Sequence, residues 1–210
     1  MAVFKKKDTT FGRHPLLTAL EEGKSFEKIF IGQNAKGKEI KQIEKLSRET
    51  NTPFQFVPVQ KLNKLCDANH QGVIALNSQI KYYNIQDILD QAYDKGKDPL
   101  FLILDHLNDV GNFGAIARTA LCSGVDAIIT PQKGGVMISG DAIKASAGAL
   151  NKLPVCRVRF LNKAIDELKL NGLKIFAAER NASKAIYELD LKIPLAIVLG
   201  SEEKGISKKV

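Results

Sequence analysis

The chain of 210 residues is 44% hydrophobic and 26% charged, an ordinary globular balance with room for one large domain or two small ones. No apolar run reaches the length of a membrane span, and the opening MAVFKKKDTTFGRH lacks the apolar core of a signal peptide. Cys66, Cys122 and Cys156 are odd in number and far apart, which argues against a disulfide framework or a thiolate zinc site and for a reducing cytoplasm; three scattered histidines add no metal site.

The net charge is +8, and it is spread: sixteen Lys and Arg face twelve Asp and Glu in residues 1–98, and fifteen face eleven in 99–210. A generally basic globular protein suits a polyanion such as RNA, though solubility alone accounts for it equally well.

In chain order, FEKIFIG (26–32) reads as a strand, 36–51 as a helix with Ile40, Ile43 and Leu46 on one face, and PFQFVPV (53–59) as a second strand. VIAL (73–76) makes a third strand. Residues 1–76 thus form a small α/β unit. Residues 77–98 read as a linker followed by a connecting helix, in which Ile85, Ile88, Leu89 and Ala92 fall at helical spacing before DKGKDP.

From residue 99 a strand-then-helix pattern repeats. The strands are expected at 100–105, 126–130, 154–158, 173–178 and 195–200, with helices at 113–123, 141–151 and 161–170. Apolar runs without alternation, separated by helices, predict a parallel sheet covered on both faces. Such sheets bind ligands beyond the carboxyl ends of their strands, which directs attention to the loops after Asp105, Ala178 and Gly200.

The stretch DHLNDVGNFGAIARTALCSG (105–124) is the most informative. Phe113, Ile116, Ala117, Ala120 and Leu121 form a buried helical stripe. Arg118 lies off that stripe on the side of Gly111 and Gly114, and the amides at the helix start can receive an anion. Asn112 either caps the helix or aims its amide into the same space. DVGNFGA is not a dinucleotide fingerprint, GSEEKGIS is not a P-loop, and no G-x-S-x-G is present, so an oxidoreductase or a serine hydrolase is disfavoured.

Residues 100–130, followed some seventy residues later by LAIVLGSEEKGIS, resemble the SpoU-type (TrmH-like) RNA ribose 2′-O-methyltransferases of the SPOUT class. The first motif matches at Asp105, Asp109, Asn112, Gly114, Ala115, Arg118 and Ala120, with Val110 where proline is usual. The second matches at Leu199, Gly200, Glu202 and Gly205. FGRHPLLTALEEG and NHQGVIAL look like members with an extra ribosomal-protein-like RNA-binding domain, the group typified by the 23S rRNA guanosine 2′-O-methyltransferase.

The resemblance implies several things together. The fold is an N-terminal RNA-binding α/β domain plus a SPOUT domain, and the methyl donor is S-adenosylmethionine. Leu199, Gly200 and, by position, Ala178 belong to the donor site; Asn112, Arg118 and Glu202 match catalytic or substrate-side positions. A guanidinium stays protonated, so Arg118 reads as an electrostatic clamp rather than a base. The partners implied are RNA, ribosomal RNA ahead of transfer RNA, and a second copy in a homodimer. The family's third motif, which threads the knot and completes the donor pocket, would follow residue 210; without it the resemblance implies weak donor binding. A non-enzymatic RNA-binding protein on the same scaffold is the competing expectation.

Overall fold

The computed structural model describes residues 8–210. Residues 1–7, which include part of the stretch read as lacking a signal peptide, lie outside the described residues. The chain divides into two units, 1–81 and 82–210.

The first unit holds a four-stranded sheet in the order β1-β4-β2-β3. Its elements are β1 (Thr9–Phe11), α1 (Arg13–Glu21), β2 (Phe26–Gly32), α2 (Lys38–Glu49), β3 (Phe54–Val57), α3 (Val59–Leu65) and β4 (Val73–Asn77). β4 runs antiparallel to both β1 and β2, while β3 is parallel to β2. Alternation divides the apolar residues between two faces. Ile29, Ile31, Val73 and Ala75 pack with Leu16 and Leu20 of α1 and Ile40 and Ile43 of α2. Phe30, Val57, Ile74 and Leu76 pack with Leu62 and Leu65 of α3.

Residues 77–98, expected as a linker followed by a connecting helix, contain that helix with a short strand ahead of it. They supply β5 (Tyr82–Tyr83), which pairs in parallel with a strand of the second unit, and α4 (Ile85–Asp94), whose Ile85, Ile88 and Leu89 enter that unit's core. The stripe read at helical spacing is buried because the second sheet has an open face to receive it.

The second unit continues with β6 (Leu100–Leu104), α5 (Val110–Cys122), β7 (Ala127–Pro131), α6 (Gly140–Ala145), β8 (Val155–Val158), α7 (Leu161–Leu170), β9 (Lys174–Ala178) and β10 (Leu195–Leu199). The six strands are ordered β5-β8-β7-β6-β10-β9, with all pairings parallel. Phe101, Ile103, Ile129 and Val198 pack with α4 and α7 on one face. The alternate residues Leu102, Leu104 and Ile128 are also buried. Phe113 and Ala117 of α5 are buried too, and burial of one such phenylalanine contributes about 1.5–3 kcal/mol. Strand β6 sits between β7 and β10, so the strand ends of the two sequence motifs are neighbours although Leu100 and its partner Leu195 are 95 positions apart.

The helix expected at 141–151 is interrupted. The segment 141–151 forms α6 only to Ala145 and resumes as a single 3-10 turn at Ala149–Asn151. Ala147 (φ 48°) and Gly148 (φ 81°) are both left-handed, and two such residues end an α-helix.

Candidate active site

Three parallel strands end in register: Leu104 of β6, Leu199 of β10 and Ala178 of β9 are direct partners. At strand spacing this row spans about 10 Å. The loops beyond it bring the two sequence motifs together through three hydrogen bonds. The Asp105 N–H donates to the Leu199 carbonyl at 2.8 Å. The Ser207 N–H donates to Oδ2 of Asp105 at 2.7 Å. The side-chain amide of Asn112 donates to Oε1 of Glu202.

Asn112 is not the helix cap. Asp109 takes that place, its carboxylate accepting the Asn112 backbone N–H at 2.7 Å, and α5 begins at Val110, three residues ahead of the expected start. A carboxylate at the N-terminus of a helix satisfies an orphan donor and opposes the dipole. Freed from capping, the Asn112 side chain reaches the second motif. Arg118, two turns along α5, is exposed, and no ion pair ties it to another of the described residues.

The glycines act chiefly on the protein itself. A Cβ at Gly114 would lie 2.5 Å from the Cβ of Ala145, so this glycine sets the close crossing of α5 and α6 rather than leaving room for an anion. At Gly200 a Cβ would overlap the backbone of Gly205 and Ile206. The loop after β10 folds back there, with Ser201 and Gly205 exchanging backbone hydrogen bonds of 2.9 and 3.2 Å. Gly205 adopts φ 65°, and its backbone fills the space that a side chain at Gly200 would need.

Beside Ala178 lies a hollow of about 230 Å³, lined mainly by Phe176, Ala178, Ala182, Ile186, Leu189 and Ile197. Ala178 is exposed into it, whereas Leu199 and Gly200 are half-buried at the neighbouring strand end. A mainly apolar hollow at a strand end, with Glu179 and Lys184 also on its lining, is suited to a flat heterocycle with polar edges. Among the described residues, no cluster of His, Cys, Asp and Glu is placed to hold a metal ion.

Two residues were given no role by sequence reasoning, Asp105 although it matches the first motif and His106 altogether. Asp105 is fully buried at the end of an apolar strand, a placement that a carboxylate adopts only when paired. Its second oxygen, Oδ1, accepts the Nδ1–H of His106 at 2.5 Å. The polar residue closing an otherwise apolar run is the available signal for Asp105; nothing local marks His106.

The comparisons agree on one family. Residues 99–210 match the SpoU rRNA Methylase family, and residues 10–83 match RNA 2′-O ribose methyltransferase substrate binding. A Staphylococcus epidermidis protein assigned to the TrmH family of tRNA/rRNA methyltransferases is 40% identical over 199 residues, covering 95% of this chain and 80% of its own length. A Bacillus subtilis protein assigned to the same family, YacO, is 31% identical over 98% of this chain and 83% of its own length. Among solved structures, an AdoMet-bound rRNA methyltransferase from Sinorhizobium meliloti superposes with a TM-score of 0.53 at 21% identity, over 95% of this chain and 72% of that one. The SpoU methyltransferase AviRb from Streptomyces viridochromogenes, in complex with AdoMet, gives 0.53 at 20% identity, over 95% and 74%. Both share the fold.

Proposed function

The chain belongs to the SpoU (TrmH-like) family of RNA methyltransferases, and from that membership we propose that it methylates a ribose 2′-hydroxyl of structured RNA, with S-adenosylmethionine as donor and a guanosine of 23S ribosomal RNA as the favoured target. The observation that carries this reading is the joining of the two motif loops at one end of the parallel sheet, through Asn112 to Glu202 and Asp105 to Leu199 and Ser207. The matched substrate-binding segment, 10–83, supports RNA as the acceptor. The AdoMet of the two structural relatives supports the donor.

The hollow beside Ala178 fits the apolar faces of the donor's adenosine, with backbone groups at Leu199 and Gly200 within the same strand-end row. When bound, S-adenosylmethionine supplies an electrophilic methyl carbon on a sulfonium. The chain's own task is to hold the ribose hydroxyl in line and to stabilise charge that develops on its oxygen. Arg118 supplies a fixed, forked cation for a neighbouring phosphate or the reacting oxygen. Asn112, held by Glu202, joins the first turn of α5 to the loop after β10. The proposal extends to a homodimer in the cytoplasm, checked by light scattering and fractionation.

The test is calorimetric titration of S-adenosylmethionine, followed by transfer of labelled methyl to unmodified 23S rRNA and to tRNA. Donor binding with alkali-resistant labelling of rRNA is the expected result. Labelling of tRNA alone would move the target. RNA binding without donor binding would replace the enzyme with a non-enzymatic RNA-binding protein.

A further inference from the structure

His106 has the backbone of a residue held in place. Its φ is 55°, left-handed, a conformation that non-glycine residues adopt rarely and that clusters at functional sites. Three contacts maintain it. Its Nδ1–H donates at 2.5 Å to a carboxylate that is itself fully buried. The second oxygen of that carboxylate is occupied by the Ser207 N–H, so Asp105 cannot turn away. On the other side the imidazole edge lies over Gly134, where a Cβ would come within 2.9 Å of its Cδ2 and 3.3 Å of its Nε2. The ring is more than half exposed.

An ionised carboxylate only accepts hydrogen bonds, so Asp105 fixes the imidazole tautomer with its proton on Nδ1 and a lone pair on Nε2. A buried carboxylate orienting a partly exposed histidine is the arrangement of a general base. Arg118, always protonated, cannot fill that role. His106 stands six residues before Asn112, on the loop that Asp105 ties to the second motif. The charged groups on the elements around it are Asp105 and Asp109 on its own loop, Lys133 beside Gly134, and Glu202, Glu203, Lys204, Lys208 and Lys209 after β10.

We propose that His106 is the proton acceptor of the methyl transfer, a role that rests on the reading above. As the ribose 2′-oxygen forms its bond to the methyl carbon, the sulfur–methyl bond breaks and the sulfonium becomes a neutral thioether. The hydroxyl proton passes to Nε2. Asp105 stabilises the resulting imidazolium without itself taking the proton.

The experiment is a pH–rate profile, with unmodified 23S rRNA and tRNA transcripts and labelled donor, for wild type, His106→Asn and His106→Gly. Both replacements tolerate a left-handed φ, so the loop keeps its course. Donor and RNA dissociation constants, measured alongside, are expected to stay within about two-fold. Turnover is expected to fall by about 100-fold or more. The acid limb of the wild-type profile is expected to vanish in both variants. Added imidazole is expected to restore turnover to His106→Gly. Retention of the acid limb in either variant, or turnover within a few-fold of wild type, overturns the assignment of His106 and leaves the methyltransferase standing. A wild type that transfers no methyl to either RNA overturns both.

Discussion

The two units differ in emphasis: both set cations over aromatic rings, Arg157 over Tyr82 at 3.8 Å and Arg159 over Phe160 at 5.1 Å in the second, but only in the second do close backbone contacts surround the site. In the first, cations rest over aromatic rings: Lys28 and Lys61 over Phe30 at 5.4 and 5.7 Å, Lys24 over Phe26 at 5.7 Å, and Arg48 over Phe54 at 5.4 Å. The long stems cover core residues and the charges remain near water. Such a surface attracts phosphate from a distance and tolerates small displacements, because its contribution is a sum over many charges. In the second unit the decisive contacts are backbone against backbone at Gly114 and Gly200, and one buried carboxylate with two partners. There a displacement of one ångström changes whether atoms react. Affinity can be distributed over a surface, whereas bond-making has to be localised.

The sharpest way to test that contrast is Arg118→Lys. The charge survives and the fork does not, so turnover is expected to drop by about 100-fold or more while RNA affinity, measured by filter binding, changes by less than about three-fold. Near-normal turnover would reduce Arg118 to one more distributed charge. Next in size is Gly114→Val, which forces a side chain into Ala145. The unfolding transition of the second unit is expected to lose about 1–3 kcal/mol in urea titration, with the first unit's transition unmoved.

Two pH effects are each confined to one unit. Burial pushes the Cys156 thiol up to about 12, with Asp87 and Glu167 adding to the shift. The unfolded chain releases that proton near its ordinary value of about 8.5, so stability falls as pH rises from there toward 12, by about 1.4 kcal/mol per pH unit. Cys156→Ala is expected to flatten that slope in denaturation curves at pH 8, 9 and 10. His70 behaves in the opposite sense. Desolvation holds its pKa below the usual imidazole value, and its Nδ1 accepts the Gly72 N–H at 3.0 Å. That contribution is present above about pH 6.5 and is lost as pH falls through the lower folded value. Hydrogen exchange in residues 8–81 is expected to accelerate at pH 5.5 beyond its intrinsic change, and His70→Gln to remove the excess.

How much of this was legible depended on the range of the interaction. Strands β2, β6 and β10 and helix α7 stand within a residue of their expected limits because each is a local apolar pattern. Helix α1 and strand β1 were missed as elements: the helix follows Gly12 and carries Pro15 in its first turn, and the strand is only three residues long. The end of α6 rests on two left-handed residues that an Ala-rich stretch does not advertise. At the site, the residue types of both motifs were visible, but their union was not. Asn112 and Glu202 are 90 positions apart, and Asp105 and Ser207 are 102 apart. Arg13 and Gln71, in the two N-terminal stretches singled out by resemblance, likewise meet only in the fold, through Arg13 Nε donating to the Gln71 carbonyl at 3.1 Å.

The pairing of β6 with β10 also sets a timetable. A ribosome that has just finished Leu100 has 95 residues still to add before the partner of that residue exists, which takes about 5–20 s at ordinary rates of synthesis. During that interval β6 can pair with β7 but has a bare edge on its other side, and Asp105 has neither the Leu199 carbonyl nor the Ser207 amide to bind. The nascent second unit is therefore an unfinished sheet with an apolar border, in the state where chaperone capture or aggregation competes with folding. The methyltransferase end of the molecule comes into being late and all at once.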